Sequence, residues 1–393
     1  MAVVARVLHA IADAPQAGWD ALLGPAPNPF LRWSFLHALE AEGCVAPDTG
    51  WTPRHLTLWE GERLLAAAPA YVKDDSDGDF SRDWDWAGRL ERAGAAWYPK
   101  LVVSVPFTPA SGPRLLVAEG TDRSAASSRL LALAREVAVD EGCGVVQALY
   151  PADADLPLLE QAGFAPRAVV QYHWRNAGYA SFDDFLGRFN SKRRIAIRRE
   201  RAAPASHGID IRTVTGPELA RDAERWGRDF HRMHAATVDR MAWGRRWLNE
   251  RFYARIFSEM PDALEVVEAR REGRLVAGAF NLSSSTHLYG RYWGAVEDHP
   301  FLHFNVCLYH SIDECIRRRI SVFEGGAGGE HKLARGFEPV AVWTAVAFTD
   351  ERVAATLRGV FAEETAQRLA ALERWRREEA VLKPRPSARE AVR

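Results

Sequence analysis

Residues 325–339 read Gly-Gly-Ala-Gly-Gly-Glu-His-Lys-Leu-Ala-Arg-Gly-Phe-Glu-Pro. Five small residues cannot pack a core, and they leave backbone N–H groups free to approach a phosphate or acyl oxygen. Glu330, His331, Lys332 and Arg335 follow at once. His331 or Glu330 can take a proton from a nucleophile, and Lys332 can hold a phosphate or a developing oxyanion. The Gly-x-x-x-x-Gly-Lys-Ser/Thr order of a phosphate-binding P-loop is absent.

Four further groups have chemistry to offer. Arg291 and Tyr292 sit side by side in a strand-like run, and strict alternation points them to opposite faces. Tyr292 can protonate a leaving group or simply pack. His303 opens a helix and His310 follows seven residues on, hence on the same face; His310 reads better as a packed, hydrogen-bonded residue. The run Arg188–Arg201 carries seven basic residues and one acid. Arg194, Arg198 and Arg201 form one stripe that can bind phosphates or merely face water. Lys100 and Trp86 are candidates to line an acceptor groove. The 14 tryptophans otherwise read as packing residues.

These residues need a scaffold, and the patterning supplies one. Val3–His9, then helices over Pro15–Leu23 and Phe30–Glu42, lead to a hairpin of Arg54–Trp59 and Leu64–Val72 around Glu60-Gly61. Strands Leu101–Pro106 and Arg114–Val117, helix Ser124–Glu141, strand Val145–Tyr150, helix Leu156–Gln161 and closing strand Arg167–Trp174 come next. The second half repeats the order. Helix Phe182–Arg201 precedes strand Ile209–Val214, helices Glu218–Val238 and Arg246–Met260, and a hairpin of Leu264–Ala269 and Leu275–Leu282. Strand His287–Ala295, helix His303–Arg319, strand Ser321–Glu324 and closing strand Val340–Phe348 complete it. Asp350–Ala380 reads as an amphipathic helix and Lys383–Arg393 as a tail.

Composition excludes several classes. The chain has 393 residues, 47% hydrophobic and 26% charged, which suits a packed fold of two or three domains rather than a disordered, collagen-like or coiled-coil chain. A net charge of −1 argues against a protein that coats DNA. Five lysines stand against 46 arginines, so each lysine is conspicuous. The four scattered cysteines show no zinc spacing, so no metal is expected and a reducing, cytoplasmic setting is. No run of about 18 apolar residues suggests a transmembrane segment.

Two short matches point to duplication. Glu60-Gly61-Glu62-Arg63-Leu64-Leu65-Ala66 resembles Glu272-Gly273-Arg274-Leu275-Val276-Ala277, and Ala162-Gly163-Phe164-Ala165-Pro166 resembles Arg335-Gly336-Phe337-Glu338-Pro339. The markers lie 102 residues apart in the first half and 63 in the second, which predicts an insertion of about 39 residues within Lys73–Arg114. The predicted organisation is therefore 1–178, with an insertion around 73–114, then 179–349, then a helix and tail over 350–393.

This element order, with Gly-Phe after a helix, is similar to the acetyltransferase (GNAT) fold, an α/β fold on a mixed sheet, in two tandem copies. Almost the whole chain resembles the FemAB-like N-acyltransferase family. The resemblance rests on Asn28-Pro29-Phe30-Leu31, Gly50-Trp51-Thr52-Pro53-Arg54-His55-Leu56, Tyr98-Pro99-Lys100-Leu101 and Val105-Pro106-Phe107-Thr108-Pro109. It rests equally on Ser191-Lys192-Arg193-Arg194, Ile197-Arg198-Arg199-Glu200-Arg201, Leu288-Tyr289-Gly290-Arg291-Tyr292-Trp293-Gly294 and the segment Gly329–Phe337. There are departures: Asn305 stands where the family leads one to expect Glu, and Val342-Trp343-Thr344-Ala345-Val346 lacks an expected Ser and His. Asp74–Asp83 is richer in Asp and Ser than the more aromatic family segment.

The resemblance implies transfer of an acyl or aminoacyl group to an amine, on a small molecule or a cell-wall precursor. Lys332, His331, Glu330 and Tyr292 would be catalytic, and Arg335, Arg291, His303, Lys100, Trp86, Arg194 and Arg198 would bind substrate. No tightly bound cofactor is expected; the donor would be aminoacyl-tRNA, making tRNA a partner, or acyl-CoA. The acidic junction Glu297-Asp298-His299-Pro300-Phe301-Leu302-His303 lacks the glycines that cradle a CoA pyrophosphate, which disfavours CoA. The alternatives are a CoA-dependent acetyltransferase of a small amine and a non-catalytic module that recognises peptidoglycan or anionic ligands.

Overall fold

The computed structural model describes residues 2–25, 27–92, 94–242, 244–326 and 328–383. The chain forms two compact units. The first comprises Met1–Val170, Trp247–Met260 and Ala341–Ala370; the second comprises Gln171–Arg246, Pro261–Val340 and Ala371–Arg393.

In the first unit, Val3–Leu8, His55–Glu60, Arg63–Ala68 and Leu116–Val117 form an antiparallel sheet in that order. The hairpin turns at Gly61, whose φ of +61° is easy only for glycine. A second run orders Thr52–Pro53, Ala70–Lys73, Lys100–Val103, Val145–Leu149 and residues 344–348. Helix Arg123–Asp140 is capped by Asp122, which accepts from the Ala125 N–H at 3.1 Å. Its Leu130, Leu131, Ala134 and Ala138 pack with Leu56, Leu58, Ala66, Leu101 and Val146 into one apolar core.

The second unit repeats the theme. Ile209–Thr215, Leu264–Arg271, Arg274–Ser283 and His287–Ala295 are antiparallel neighbours, and Val322–Glu324 then runs parallel to His287–Tyr289. Trp174, Phe182, Phe185, Phe189, Ile197, Tyr309 and Phe337 share its aromatic core. Gly294 is required there, since a Cβ would lie 2.4 Å from the His234 nitrogen of helix Ala223–Val238.

Between hairpin and next strand the first unit has residues 74–99, including helix Trp84–Arg92, where the second has only 284–286. The closing strands differ from expectation. Arg167–Trp174 was expected to close the first half, yet His173, Trp174 and Arg175 pair with Glu324, Phe323 and Val322 of the second unit. Conversely, Thr344–Phe348 pairs with Leu149–Val145 in the first. Each unit is thus completed by a strand remote in sequence, which local periodicity cannot reveal.

Three predicted helices are interrupted. Phe182–Arg201 divides into Phe182–Gly187 and Ser191–Ser206, because Asn190 caps the second piece by accepting from the Arg193 N–H at 2.9 Å. Glu218–Val238 divides into Gly216–Arg221 and Ala223–Val238. His303–Arg319 contains a π-helical stretch at Asn305–Tyr309. Strand Arg114–Val117 shortens to Leu116–Val117, because the Arg114 N–H is drawn to the Asp155 carboxylate at 2.6 Å. The final helix is Glu351–Glu378, and the expected tail beyond Lys383 lies outside the described residues. Among the described residues, no helix is long and apolar enough to cross a membrane.

Candidate active site

The site is built where two parallel strands of the second unit part. Their pairing ends at Tyr289 opposite Glu324, and the chain continues from both as Gly290 and Gly325. One step on, Phe280 faces Tyr292 and Asn281 faces Gly290, so Arg291 is the extra residue of a β-bulge. The expected alternation of Arg291 and Tyr292 therefore fails, and the Arg291 guanidinium lies 5.4 Å from the Tyr292 ring centroid. The glycine run crosses close by: a Cβ on Gly326 would lie 3.0 Å from the Gly290 carbonyl oxygen. Gly326, Gly328 and Gly329 all have positive φ, so this path is open to glycine and strained for other residues. Ala327, within the run, lies outside the described residues.

The run delivers the chain into a tight helical turn, Glu330–Arg335. The turn ends at Gly336, at φ +84°, where a Cβ would lie 2.6 Å from the Phe185 ring. Inside it, the buried Lys332 ammonium donates to the carbonyls of Gly326 and Gly328, each at 2.8 Å. Burial pulls the Lys332 pKa down to about 8, since an ammonium loses hydration there. The same burial pushes up the thiol of nearby Cys307.

Uncharged imidazoles surround this amine. His303 is lowered to about 4 by burial, then by His331, Lys332 and Arg335. His331 is lowered by burial, then Lys332 and Arg335. His173, on the strand Ala165–Arg175, is lowered to about 3 by burial, Arg175, His287 and Lys332. The His303 and His331 rings are 5.9 Å apart, and Trp293 meets His303 edge-on at 5.1 Å. His331 is the exposed member of the three and so the one able to pass a proton to solvent.

A buried ionic network underlies the turn. Arg335 donates from Nη1 to the His331 carbonyl and from Nη2 to Glu200, both at 2.8 Å, and its guanidinium lies 3.3 Å from the Phe304 ring centroid. Glu200 also accepts from the Tyr309 hydroxyl and pairs with Arg193 at 3.3 Å. Asn305 donates to the Glu200 and Phe301 carbonyls at 2.8 and 3.0 Å. A carboxylate at 305 would have no N–H for either, so here the departure from the expected Glu has a structural use.

The structure gathers Lys332, His331, Arg335 and His303, with Arg291 on the bulge beside the glycine run. Glu330 is on the exposed side of the turn. Tyr292 packs against His234, with ring centroids 4.9 Å apart. His310 leaves the face of His303, because the π-helical stretch changes the register; its Nε2 is 2.8 Å from the Thr213 hydroxyl. Each member of the basic stripe has an intramolecular partner, and Arg198 stays exposed. Arg194 donates to the Phe189 carbonyl, Arg198 pairs with Asp183, and Arg201 pairs with Asp313.

Lys100 and Trp86 belong to the first unit and do not line an open groove. Lys100 has no exposed surface and is held by Asp79, Asp83, Ser76, Ser81 and Gln147 at 2.7–3.3 Å. Trp86 is core, edge-on to Phe361 at 4.8 Å. Sequence reasoning missed His173, Tyr309, Arg193 and Glu200. Only Glu200 carried a signal, as the single acid in a basic run.

Comparisons with known proteins bear on the fold and the family. No curated protein sequence matches the chain. Among solved structures, FemX is 11% identical, with a TM-score of 0.53 and 91% of this chain and 100% of that chain covered. A tandem GNAT protein from the clavulanic acid biosynthesis pathway is 15% identical, at a TM-score of 0.45, covering 89% and 99%. The fold is a mixed α/β fold that resembles that of FemX. The family model described as peptidoglycan biosynthesis/recognition matches residues 10–382, and the chain therefore belongs to the FemAB-like family.

Proposed function

We propose that the protein is an N-acyltransferase that moves an acyl or aminoacyl group to an amine on a peptidoglycan precursor. One observation carries the reading: an ammonium, Lys332, is seated on glycine carbonyls where two parallel strands separate. There the acceptor amine attacks the donor carbonyl, forming the N–C bond without a covalent enzyme intermediate. Lys332 stabilises the tetrahedral oxyanion, which matters most in a buried setting. Exposed, uncharged His331 accepts the amine proton, and the donor oxygen or sulfur leaves with a proton as its bond to carbon breaks. In the family resemblance, a lysine before the Gly-Phe turn is functionally important, and Lys332 holds that place.

The donor reading favours aminoacyl-tRNA. Where a CoA pyrophosphate cradle would lie, Glu297 pairs with His299 at 2.9 Å and with Arg271 at 3.3 Å, so the junction presents a stapled carboxylate. The test is turnover with aminoacyl-tRNA and acyl-CoA donors on cell-wall precursors. Lys332→Ala should cut turnover at least about tenfold while the circular dichroism spectrum is unchanged. Unchanged turnover would reject the assignment. Precursor binding with no transfer from any donor would favour the recognition module instead.

A further inference from the structure

The helix Ser191–Ser206 was expected to present a basic stripe outward, yet its inner face touches the turn that carries Lys332. Arg193, Ile197 and Glu200 follow one another at helical spacing, and Ile197 is fully buried between the other two. Arg193 donates from Nε to the Ala334 carbonyl. Glu200 receives Nη2 of Arg335, whose Nη1 closes on the His331 carbonyl. Two successive residues of the turn, Ala334 and Arg335, are therefore gripped from one helix. Their hold reaches Lys332 through the His331 carbonyl and through the Phe337 N–H, which donates to the Lys332 carbonyl at 3.2 Å.

We propose that Glu200, with Arg193 two turns earlier on the same helix, is a positioning residue for Lys332. It fixes the turn so that the ammonium stays on the Gly326 and Gly328 carbonyls. The inference deepens the proposed function and rests on it for its catalytic meaning, though not for its geometry. Without the Glu200 charge, the buried Arg335 guanidinium loses its carboxylate, the turn loosens, and the Lys332 side chain gains water.

The chain has five lysines, so isotope-labelled lysine NMR of the full protein is simple, and Lys332→Met assigns the signal. In the wild type, burial should hold the Lys332 midpoint below the ordinary lysine range, at about 8. In Glu200→Gln its midpoint should move by about half a pH unit or more, as the loosened turn changes the hydration of the ammonium and the unpaired Arg335 guanidinium changes its field. kcat should fall at least about tenfold, with KM changed less than about threefold. Arg193→Gln keeps the Glu200–Arg335 pair and serves if the first variant folds poorly; it should move both readouts the same way, by less. A purely structural role would lower the folded fraction and leave the Lys332 titration unmoved in what remains folded, and that result in either folded variant overturns the proposal. If Lys332→Ala keeps full turnover while Glu200→Gln still moves the titration, the proposed function fails and the positioning stands.

Discussion

Each unit has a pair of parallel strands that part, and the two partings are treated in opposite ways. In the second unit the ladder stops at Tyr289 and Glu324, and beyond that point lie glycines, a bulge and Lys332. In the first, Lys100–Val103 pairs with Val145–Ala148, and the chain's own residues then take over the ladder. Gly112 donates to the Tyr150 carbonyl and accepts from Ala152. The fully buried Arg114 guanidinium donates to the carbonyls of Leu149, Ala110 and Gly112 at 2.7, 2.8 and 3.1 Å. Val105, Phe107 and Ala110 are buried with it. Beyond the parting, one copy gives the carbonyls of a glycine run to a lysine, and the other gives the carbonyls of packed residues to a fully buried arginine. The repeated architecture alone does not set the chemistry of a parting; the residues placed there do.

Substitutions can break this contrast. The largest effect is expected at Arg114. Arg114→Ala strips hydrogen bonds from several buried carbonyls and opens a cavity, at a cost of about 3–5 kcal/mol in chemical unfolding. A loss below about 1 kcal/mol would mean that the first parting is not held shut by this side chain. Next comes Gly326→Ala, where positive φ and the Gly290 carbonyl 3.0 Å away leave no relaxed place for a methyl group. It should cost about 1–2 kcal/mol and lower turnover, since Lys332 donates to that residue's carbonyl.

The pH profile sharpens the same point. Folding lowers the Lys332 pKa to about 8, so between about 8 and the ordinary lysine range the unfolded chain keeps a proton that the folded chain has lost. Lys332 therefore adds stability as pH rises through that window, while the ammonium proposed for the oxyanion disappears. Turnover should fall through pH of about 8, and a flat profile to pH of about 10 would contradict an ammonium role. The smallest effect belongs to Arg198→Ala. Its pair with Asp183 is exposed on both sides, so stability should change by no more than about 0.5 kcal/mol in chemical unfolding.

The features legible in the sequence were local ones. The hairpins at Gly61 and Gly273, helix Arg123–Asp140 and the turn before Gly336 follow from periodicity and turn residues. The glycine run with Lys332 was legible because that composition suits no core. Arg291 was misjudged because a bulge is a property of two strands paired together. His310 packs and hydrogen-bonds as expected, but its shared face with His303 is lost, because a π-helical stretch hides in an ordinary helical pattern. Lys100 reads in the sequence as a groove-lining residue; Asp79, Asp83 and Gln147 meet it only once the chain is folded. Arg194 and Arg198 formed the expected stripe, but the groups that occupy them, the Phe189 carbonyl and Asp183, are set by the helix break at Asn190.

The exchange of closing strands bears on how the molecule is made. Residues 344–348 hydrogen-bond to a strand that leaves the ribosome some 200 residues earlier. At about 5–20 residues per second, the edge of Val145–Leu149 stands bare for about ten to forty seconds of synthesis. During that interval the nascent first unit offers an unpaired strand to anything that can add to it. For the same reason, a gene fragment ending near residue 178 would encode a sheet that lacks its last member.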